Sequence, residues 1–348
     1  MTALRPRLGL TVPMVPSQPP VAQHAVALAK EMCAKGYDEL WLAEVNAAEC
    51  YALAGALSQA APGVRIGMGV LPLATRSVMI HALGSYTLSE LTGGRFSLGL
   101  GISSENIVRD WAGQPYDKPI PRMREALGAL RKAFAGEKVQ VAGETLSMKN
   151  FRLPSKVEVP LFVGALNPQM LRLAGALADG VVLNMVPESA LKQVLGEVRR
   201  GAEEAGRDPA SLEVVARLHV SVLPSIDHGR EVVRMAFGPY VAVGGYNRFF
   251  QWIGMEQEAL AVKEAFSKGD RAGVAKAMTP RLCDAIGIAG DEAHVRARIR
   301  AYAEQGVDVC VLNPLAAGAA AQKAVFEQLS DVLAGISFAE RGVMRATR

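Results

Sequence analysis

The residues best suited to binding chemistry lie in one turn, Gly164–Asn167, between a short apolar run and an amphipathic segment. Gly164 and Ala165 have little or no side chain, so they leave their backbone N–H groups open to a ligand. Asn167 is a good N-cap, and Pro168 suits the first helical turn, where its missing N–H costs nothing. Because the helix dipole favours negative charge at an N-terminus, the turn predicts an anion site. An ordinary capped turn between a strand and a helix is the alternative.

Two side chains could handle a proton. Glu44 directly follows an apolar run, where a carboxylate can accept hydrogen bonds or act as an acid or base; a surface loop acid is the alternative. Arg217, His219 and Ser221 alternate with apolar residues, and the period of two places all three on one face of a strand. His219 could therefore donate to a substrate, or it could be a core histidine with satisfied hydrogen bonds.

Glycines mark two further strands. Gly67 and Gly69 lie inside an apolar run, where glycine indicates a bulge or the close approach of another body, either a flat ring or a tightly packed helix. Another run ends at Gly101 and continues to Ser103 and Ser104, which offer backbone donors and hydroxyl groups. A dinucleotide-binding fingerprint would need a third glycine that this segment lacks.

Composition excludes several classes of function. Half of the 348 residues are hydrophobic, so a large core is available, and the formal net charge is only +4. The basic residues form no run with interleaved aromatic residues, so we expect no nucleic-acid partner; the basic end (Arg341, Arg345 and Arg348) is interpreted as a solvated tail. No apolar run reaches 18 residues and no signal-type core is present, so we expect no membrane association and a cytoplasmic location.

Metal sites and hydrolase chemistry are not indicated either. The four cysteines are widely spaced and form no CxxC pair, which argues against a disulfide framework or a metal knot and is typical of a reducing compartment. The histidines form no HxH or HExxH set, so no metal site is predicted. A G-x-S-x-G elbow is also missing, which leaves a hydrolase triad without an anchor.

Along the chain, eight predicted apolar strands alternate with predicted helices. The predicted strands are Arg7–Val12, Glu39–Ala43, Val64–Leu71, Phe96–Leu100, Leu161–Val163, Val181–Asn184, Leu212–Leu223 and Val307–Leu312. This even alternation predicts a single α/β domain over residues 1–348, a parallel (β/α)8 TIM barrel, although a doubly wound open sheet makes the same pattern. Residues 229–280 interrupt the alternation as a helical insertion before the last βα unit. Its aromatic cluster predicts a lid, a subunit contact or plain helix packing.

Three segments carry a resemblance: 64–82 (VRIGMGVLPLATRSVMIHA), 91–104 (LTGGRFSLGLGISS) and 159–184 (VPLFVGALNPQMLRLAGALADGVVLN). With the later segment 287–314, they resemble the luciferase-like superfamily of flavin- and deazaflavin-dependent oxidoreductases. The likeness is greatest to the branch that uses coenzyme F420, which includes methylenetetrahydromethanopterin reductase. It spans nearly the whole chain, and segment 159–184 is its most specific part.

The resemblance implies a deazaflavin at the C-terminal mouth of the barrel and a homodimer. It implies a non-proline cis peptide between Gly69 and Val70, in a bulge against the ring. The loop after the fourth predicted strand, Gly101 to Ser104, would line the cofactor, and the turn Gly164–Asn167 would meet its phosphate-bearing tail. The implied cofactor-binding residues are Gly69, Val70, Leu71, Gly101, Ser103, Ser104, Gly164, Ala165, Leu166 and Asn167. An apolar mouth made by Met14, Val70, Leu71, Leu166 and Met185 would suit a planar ring.

The activity implied is hydride transfer between C5 of the deazaflavin and a small organic substrate. Some relatives carry an Asp-His pair after strand two, whereas this chain has Glu44-Val45, so Glu44 and His219 are the catalytic candidates. An FMN-dependent monooxygenase of the same superfamily is one alternative. A non-catalytic protein that binds a flavin or deazaflavin is another, because a fold does not ensure a function.

Overall fold

Eight parallel strands close into a barrel in the computed structural model, which describes residues 7–12, 20–316 and 319–333. Met14 and the basic end of the chain lie outside the described residues. In chain order the strands are β1 (Arg7–Thr11), β2 (Glu39–Leu42), β3 (Arg65–Met68), β4 (Leu71–Pro72), β5 (Phe96–Gly101), β6 (Val139–Ala142), β7 (Ser147–Phe151), β8 (Leu161–Gly164), β9 (Gly180–Asn184), β10 (Glu213–Val222), β11 (Gly287–Gly290) and β12 (Val309–Pro314).

The barrel consists of β1, β2, β3, β5, β8, β9, β10 and β12, paired in that order, with β12 returning to β1. The ten-residue β10 completes the ring, because its first half pairs with β9 and its middle pairs with β12. This closure confirms the barrel and removes the open-sheet alternative. Two further pairings belong to this sheet: β11 extends along the second half of β10, and the short β4 pairs with β5. Strands β6 and β7 form a separate antiparallel hairpin.

Helices surround the barrel, and most of them bury one apolar face. They are α1 (Val21–Ala34), α2 (Cys50–Ala60), α3 (Val78–Thr92), α4 (Pro119–Phe134), α5 (Pro168–Leu177), α6 (Glu188–Glu204), α7 (Ile226–Ala242), α8 (Gly244–Trp252), α9 (Glu256–Ser267), α10 (Arg271–Ala277), α11 (Pro280–Ile286), α12 (Glu292–Glu304) and α13 (Ala319–Leu333). In α6, for example, Leu191, Val194, Leu195 and Val198 are buried at helical spacing. Helices α7 to α11 form the helical insertion that precedes the last βα unit.

The bottom of the barrel interior holds an ionic cluster built from the first residues of four strands. Glu39 and Glu213 face Arg7 and Arg65, and Arg65 Nη1 lies 2.8 Å from a Glu213 carboxylate oxygen. Burial raises the pKa of Glu39, while the nearby charges of Arg7 and Arg65 act in the opposite direction and favour its carboxylate. Strands β1, β2, β3 and β10 are thereby joined by side chains as well as by backbone hydrogen bonds.

A plug of apolar side chains lies above this cluster and closes the barrel. Trp41 is its largest member, and its indole N–H donates to Glu39 at 2.7 Å. The ring of Trp41 meets Phe162 edge-on, with centroids 5.6 Å apart. The remaining members are Val182, Val215, Val309 and Val311.

Trp41 explains the glycines of β3. A Cβ atom on Gly67 would lie 2.7 Å from the Trp41 ring, and one on Gly69 would lie 2.9 Å from it. The body that approaches this backbone is therefore an indole inside the barrel. The sequence suggested a flat ligand ring or a packed helix as the reason for glycine at position 67, and neither is the immediate reason.

Candidate active site at the barrel mouth

One side of the barrel mouth is bare backbone, formed by the ends of β3, β5 and β8. Between β3 and β4 the chain bulges, and the Gly69–Val70 peptide is cis, as the resemblance implied. A Cβ at Gly101 would lie 2.5 Å from Val70 Cγ2, and a Cβ at Gly164 would lie 3.1 Å from Val70 Cγ1. Glycine at both positions therefore lets Val70 project over two neighbouring strand ends. We call this surface, made by Gly69, Val70, Gly101 and Gly164, the glycine wall.

The N-terminus of α5 opens beside the glycine wall. Helix α5 starts at Pro168 after Asn167, but the Asn167 side chain makes no capping hydrogen bond. It lies instead toward α8, since its Nδ2 would be 3.9 Å from a Cβ on Gly245. Within the described residues, the N–H groups of Gln169 and Met170 have no acceptor. Open N–H groups at the positive end of a helix suit an anion.

The opposite side of the mouth is polar and is formed by β9, β10, β12 and β1. Arg217 Nη2 donates to Asn313 Oδ1 at 2.8 Å, and Asn313 Nδ2 lies 2.8 Å from His219 Nδ1. His219 Nε2 lies 2.9 Å from Asn184 Oδ1, and Asn184 Nδ2 donates to the hydroxyl of Tyr246 at 2.5 Å. These five side chains form one continuous hydrogen-bonded chain, which we call the polar relay.

His219 is neutral in this setting. Burial, and then the nearby positive charge of Arg217, hold its pKa well below the ordinary value of 6.5. Phe237 of α7 covers the imidazole, with ring centroids 4.6 Å apart. Both ring nitrogens are engaged by asparagine side chains, so His219 serves to connect its neighbours.

Arg217 is the one cation of the polar relay. Burial lowers its pKa, while the tyrosines Tyr246 and Tyr240 act in the opposite direction. Besides Asn313, its guanidinium reaches Thr11 Oγ1 at 3.4 Å. Within the described residues no carboxylate pairs with it, so its charge acts on the relay without neutralisation.

Glu44 lies behind the glycine wall and its carboxylate is fully engaged. Arg76 binds both oxygens in a bidentate pair, at 2.6 and 2.5 Å, and the Cys50 N–H donates to Oε2 at 3.1 Å. Arg76 also reaches Glu49 at 2.6 Å, so it joins the loops that follow β2 and β4. Arg76 is largely buried in this position, with only 15% of its side chain exposed.

The structure brings most of the sequence-derived candidates to this mouth, on different sides of it. Gly69, Val70, Gly101 and Gly164 form the glycine wall, and His219 lies across from them. Leu71 and Ala165 are buried, so they can offer only backbone groups to a ligand. Ser104 donates to Asn106 at 2.6 Å, and the Ser103 carbonyl accepts from Tyr116 at 3.1 Å, which fixes the loop after β5.

Sequence reasoning missed Asn184, Asn313 and Tyr246. The first two are the polar residues that end the apolar runs VVLN and VCVLN, and such strand-end positions are the signal that could have found them. Tyr246 comes from the helical insertion, and its approach to Asn184 depends on how α8 folds back over the mouth. No local pattern encodes that contact.

Two features that the described residues lack bear on other functions. No group of three or more histidine, cysteine, aspartate or glutamate side chains is arranged to hold a metal ion. No helix within the described ranges combines the length and apolar character needed to cross a bilayer.

Comparison with known proteins gives consistent matches. The chain is 29% identical over 301 residues to the 5,10-methylenetetrahydromethanopterin reductase of Methanolobus tindarius, which covers 85% of this chain and 91% of the relative. The coenzyme F420-dependent tetrahydromethanopterin reductase of Methanopyrus kandleri superposes with a TM-score of 0.78 at 21% identity, over 94% of this chain and 98% of that one.

A third match is an F420-dependent secondary alcohol dehydrogenase solved with an F420–acetone adduct, with a TM-score of 0.75 at 20% identity, over 95% of this chain and 99% of that one. At these identities the two structural matches show a shared fold. The family model of the luciferase-like monooxygenases matches residues 8–309, which is most of the chain and includes every barrel strand from β2 to β10. The chain therefore belongs to the luciferase-like monooxygenase family.

Proposed function

We propose that this protein is a coenzyme F420-dependent oxidoreductase that transfers a hydride between C5 of the deazaflavin and a small organic substrate. The observation that carries the proposal is the division of the mouth into a bare glycine wall and a facing polar relay. A flat ring can lie against backbone from which only the Val70 side chain projects, and its reacting face then points toward groups that can bind a substrate. The F420 dependence of the sequence relatives supports the choice of cofactor.

The residues present fit this cofactor. The glycine wall offers a surface from which only Val70 projects, and Leu71, Ser103 and Ser104 continue it along the loops. Directly after the turn Gly164–Asn167, which includes Ala165 and Leu166, the start of α5 offers the open N–H groups of Gln169 and Met170 to a phosphate. When bound, the deazaflavin supplies a two-electron hydride carrier that reacts poorly with oxygen.

Glu44 and His219 are the two proposed catalytic residues, and the role of each follows from its contacts. Glu44 is held at both oxygens by Arg76 and its backbone N–H lies 3.4 Å from the Val70 carbonyl, so it positions the bulge of the glycine wall. His219 is neutral and bound at both nitrogens, so it positions Asn184 and Asn313. In this arrangement both Glu44 oxygens accept from Arg76, and the ring proton of His219 is directed to Asn184.

The test is a titration of the purified protein with F420 and, separately, with FMN, followed by fluorescence and visible absorbance. We expect low-micromolar binding of F420 and much weaker binding of FMN. Tight binding of FMN without binding of F420 would replace the proposal with an FMN-dependent monooxygenase. Tight F420 binding without reduction by any hydride donor would indicate a non-catalytic cofactor-binding protein.

A homodimer, which rests on the family resemblance, and a cytoplasmic location, which rests on the sequence pattern, are part of the proposal. Sedimentation of the purified protein tests the assembly, with a single species of about twice the chain mass of 37.0 kDa as the expected result.

A further inference from the structure

The polar relay has a fixed direction that follows from elementary chemistry. A guanidinium can only donate hydrogen bonds, so the Asn313 group that faces Arg217 must be its carbonyl oxygen. The Asn313 amide nitrogen then faces His219 and donates to Nδ1. A neutral imidazole that accepts at Nδ1 carries its proton on Nε2, and that proton goes to the carbonyl oxygen of Asn184.

The last link of the relay leaves one proton undirected. The Asn184 amide nitrogen must donate to the Tyr246 oxygen, because its carbonyl oxygen is already occupied by His219. Tyr246 therefore accepts from Asn184 and keeps its own O–H for another acceptor. No such acceptor exists among the residues that the structure describes. A half-buried hydroxyl that ends a polarised chain at the mouth needs a partner, since an unmade hydrogen bond costs free energy.

We infer that Tyr246 is a catalytic residue that donates a hydrogen bond, and then its proton, to the oxygen or nitrogen of a C=O or C=N group in the substrate. This inference rests on the proposed function and deepens it by naming the reacting group. As the hydride forms a C–H bond at carbon, the electron pair of the double bond moves to the heteroatom, which takes the Tyr246 proton. Water then reprotonates the phenolate, and the reverse reaction uses the phenolate as the base.

The surroundings of Tyr246 suit this task. Burial raises the pKa of Tyr246 above its ordinary value of 10, so the phenol is protonated at neutral pH and able to donate. The Asn184 hydrogen bond and the charge of Arg217 lower the pKa and stabilise the phenolate. Asn184, His219, Asn313 and Arg217 are accordingly positioning residues, and their effect should be visible in the titration of one phenol.

The first experiment needs no cofactor. The full-length protein is labelled with tyrosine carrying ¹³C at Cζ, and Tyr246→Phe identifies the Tyr246 resonance in NMR spectra recorded against pH. Arg217→Met and Asn184→Ala should each raise the Tyr246 pKa, and Arg217→Lys should raise it less than Arg217→Met. Arg199→Met, at an exposed arginine of α6, is the matched control and should leave it unchanged. An unchanged Tyr246 pKa in both Arg217→Met and Asn184→Ala would overturn the relay.

The second experiment measures reduction of cyclohexanone, benzaldehyde and the cyclic imine 1-pyrroline by reduced F420. Tyr246→Phe should lower kcat/KM by about 100-fold or more, with an unchanged dissociation constant for F420, because general acid catalysis contributes about 10²–10⁴. Tyr240→Phe removes a neighbouring hydroxyl, with ring centroids 6.4 Å apart, and should retain activity. Equal kcat/KM in wild type and Tyr246→Phe would overturn the role, and no reduction of any probe would contradict the substrate class. Failure of F420 itself to bind would overturn the proposed function and leave the NMR result standing.

Discussion

At the residue scale, the buried histidines show how burial sets charge state in this protein. His81 of α3 is completely buried, with Nδ1 3.0 Å from the Tyr51 hydroxyl and Nε2 3.4 Å from the Leu73 carbonyl. Burial lowers the pKa of His81 from 6.5 to about 4, the Leu73 hydrogen bond opposes this, and Arg76 contributes further lowering. His81 is therefore neutral at pH 7, like His219 in the polar relay.

This burial predicts acid sensitivity. The unfolded chain binds a proton at His81 near pH 6.5, whereas the folded chain does so only near pH 4, so unfolding is favoured as the pH falls between these values. Lower pH should thus remove about 3 kcal/mol of stability through this group, most of it by pH 4. Urea unfolding of wild type and His81→Gln, measured from pH 7 to pH 4, should show a smaller pH dependence in the variant. The exposed His228→Gln is the control, and identical slopes in all three proteins would contradict the prediction.

Trp41 supplies a second residue-scale prediction, about packing. Gly67→Ala forces a methyl group against the indole and should cost about 1–3 kcal/mol of unfolding free energy, the usual penalty for overpacking. The smaller ring of Trp41→Phe should relieve part of that cost, so the double variant should show an interaction energy of about 0.5 kcal/mol or more. Chemical denaturation of the four proteins measures it.

Gly55→Ala is the matched control for this cycle. A Cβ on Gly55 meets nothing within 4 Å, and the residue lies inside α2. Alanine is the better helix former, so this substitution should stabilise the protein by about 0.5–1 kcal/mol. Additive costs for Gly67→Ala and Trp41→Phe would show that Gly67 serves some other purpose.

At the element scale, the positive N-terminal end of α5 allows a test of where the cofactor phosphate binds. Asn167→Asp keeps the size of the side chain but places a negative charge beside the open N–H groups. The dissociation constant of F420 should rise about five- to tenfold at low salt, because the new carboxylate competes with the phosphate for the same positive end. The difference should shrink as salt is added.

Fluorescence titration at two ionic strengths measures this effect. Asn150→Asp introduces the same charge at an exposed residue of the separate β6–β7 hairpin and should leave F420 affinity as it is. An Asn167→Asp protein that binds F420 as tightly as wild type would place the phosphate elsewhere.

Whole-molecule stability depends on closing the barrel, and the ionic cluster at its bottom helps to do so. Glu213→Gln leaves Arg7 and Arg65 facing Glu39 alone, which leaves one positive charge without a partner in a partly buried place. Because Arg7 remains 42% exposed, the expected cost is about 2 kcal/mol, below the 3–5 kcal/mol of a fully buried broken pair. Denaturant unfolding should show this loss in a single transition. Glu203→Gln, at an exposed acid of α6, should change little, and an equal cost in both variants would contradict the prediction.

The sequence predicted the barrel because its eight strands and their helices have strong, separate periodicities, and all eight predicted strands correspond to barrel strands. Strand β11 was missed because Gly287–Gly290 is short and half glycine, and it forms only by pairing with the long β10. The predicted third strand is divided in the structure, since the bulge at Gly69–Val70 separates β3 from β4.

For the site, the sequence predicted the residues that strand ends place at the mouth. It did not predict the side-chain contacts that form only when distant parts of the chain fold together. The turn at Gly164–Asn167 and the inward face of Arg217 and His219 follow from local pattern and period. The pairing of Glu44 with Arg76 joins residues 32 positions apart, and that of Asn184 with Tyr246 joins residues 62 apart. Such contacts depend on how loops and inserted helices settle over the mouth, which no short window of sequence records.

The two sides of the mouth also come from different segments of the chain. The glycine wall and the α5 turn come from residues 69–167, whereas all five members of the polar relay come from residues 184–313. A crossover between two genes of this family near residue 175 would therefore exchange one set of functions at a time. Chimeras joined there should keep the first parent's affinity for F420 while taking the second parent's choice of substrate, so the order of the strands makes new specificities accessible by recombination.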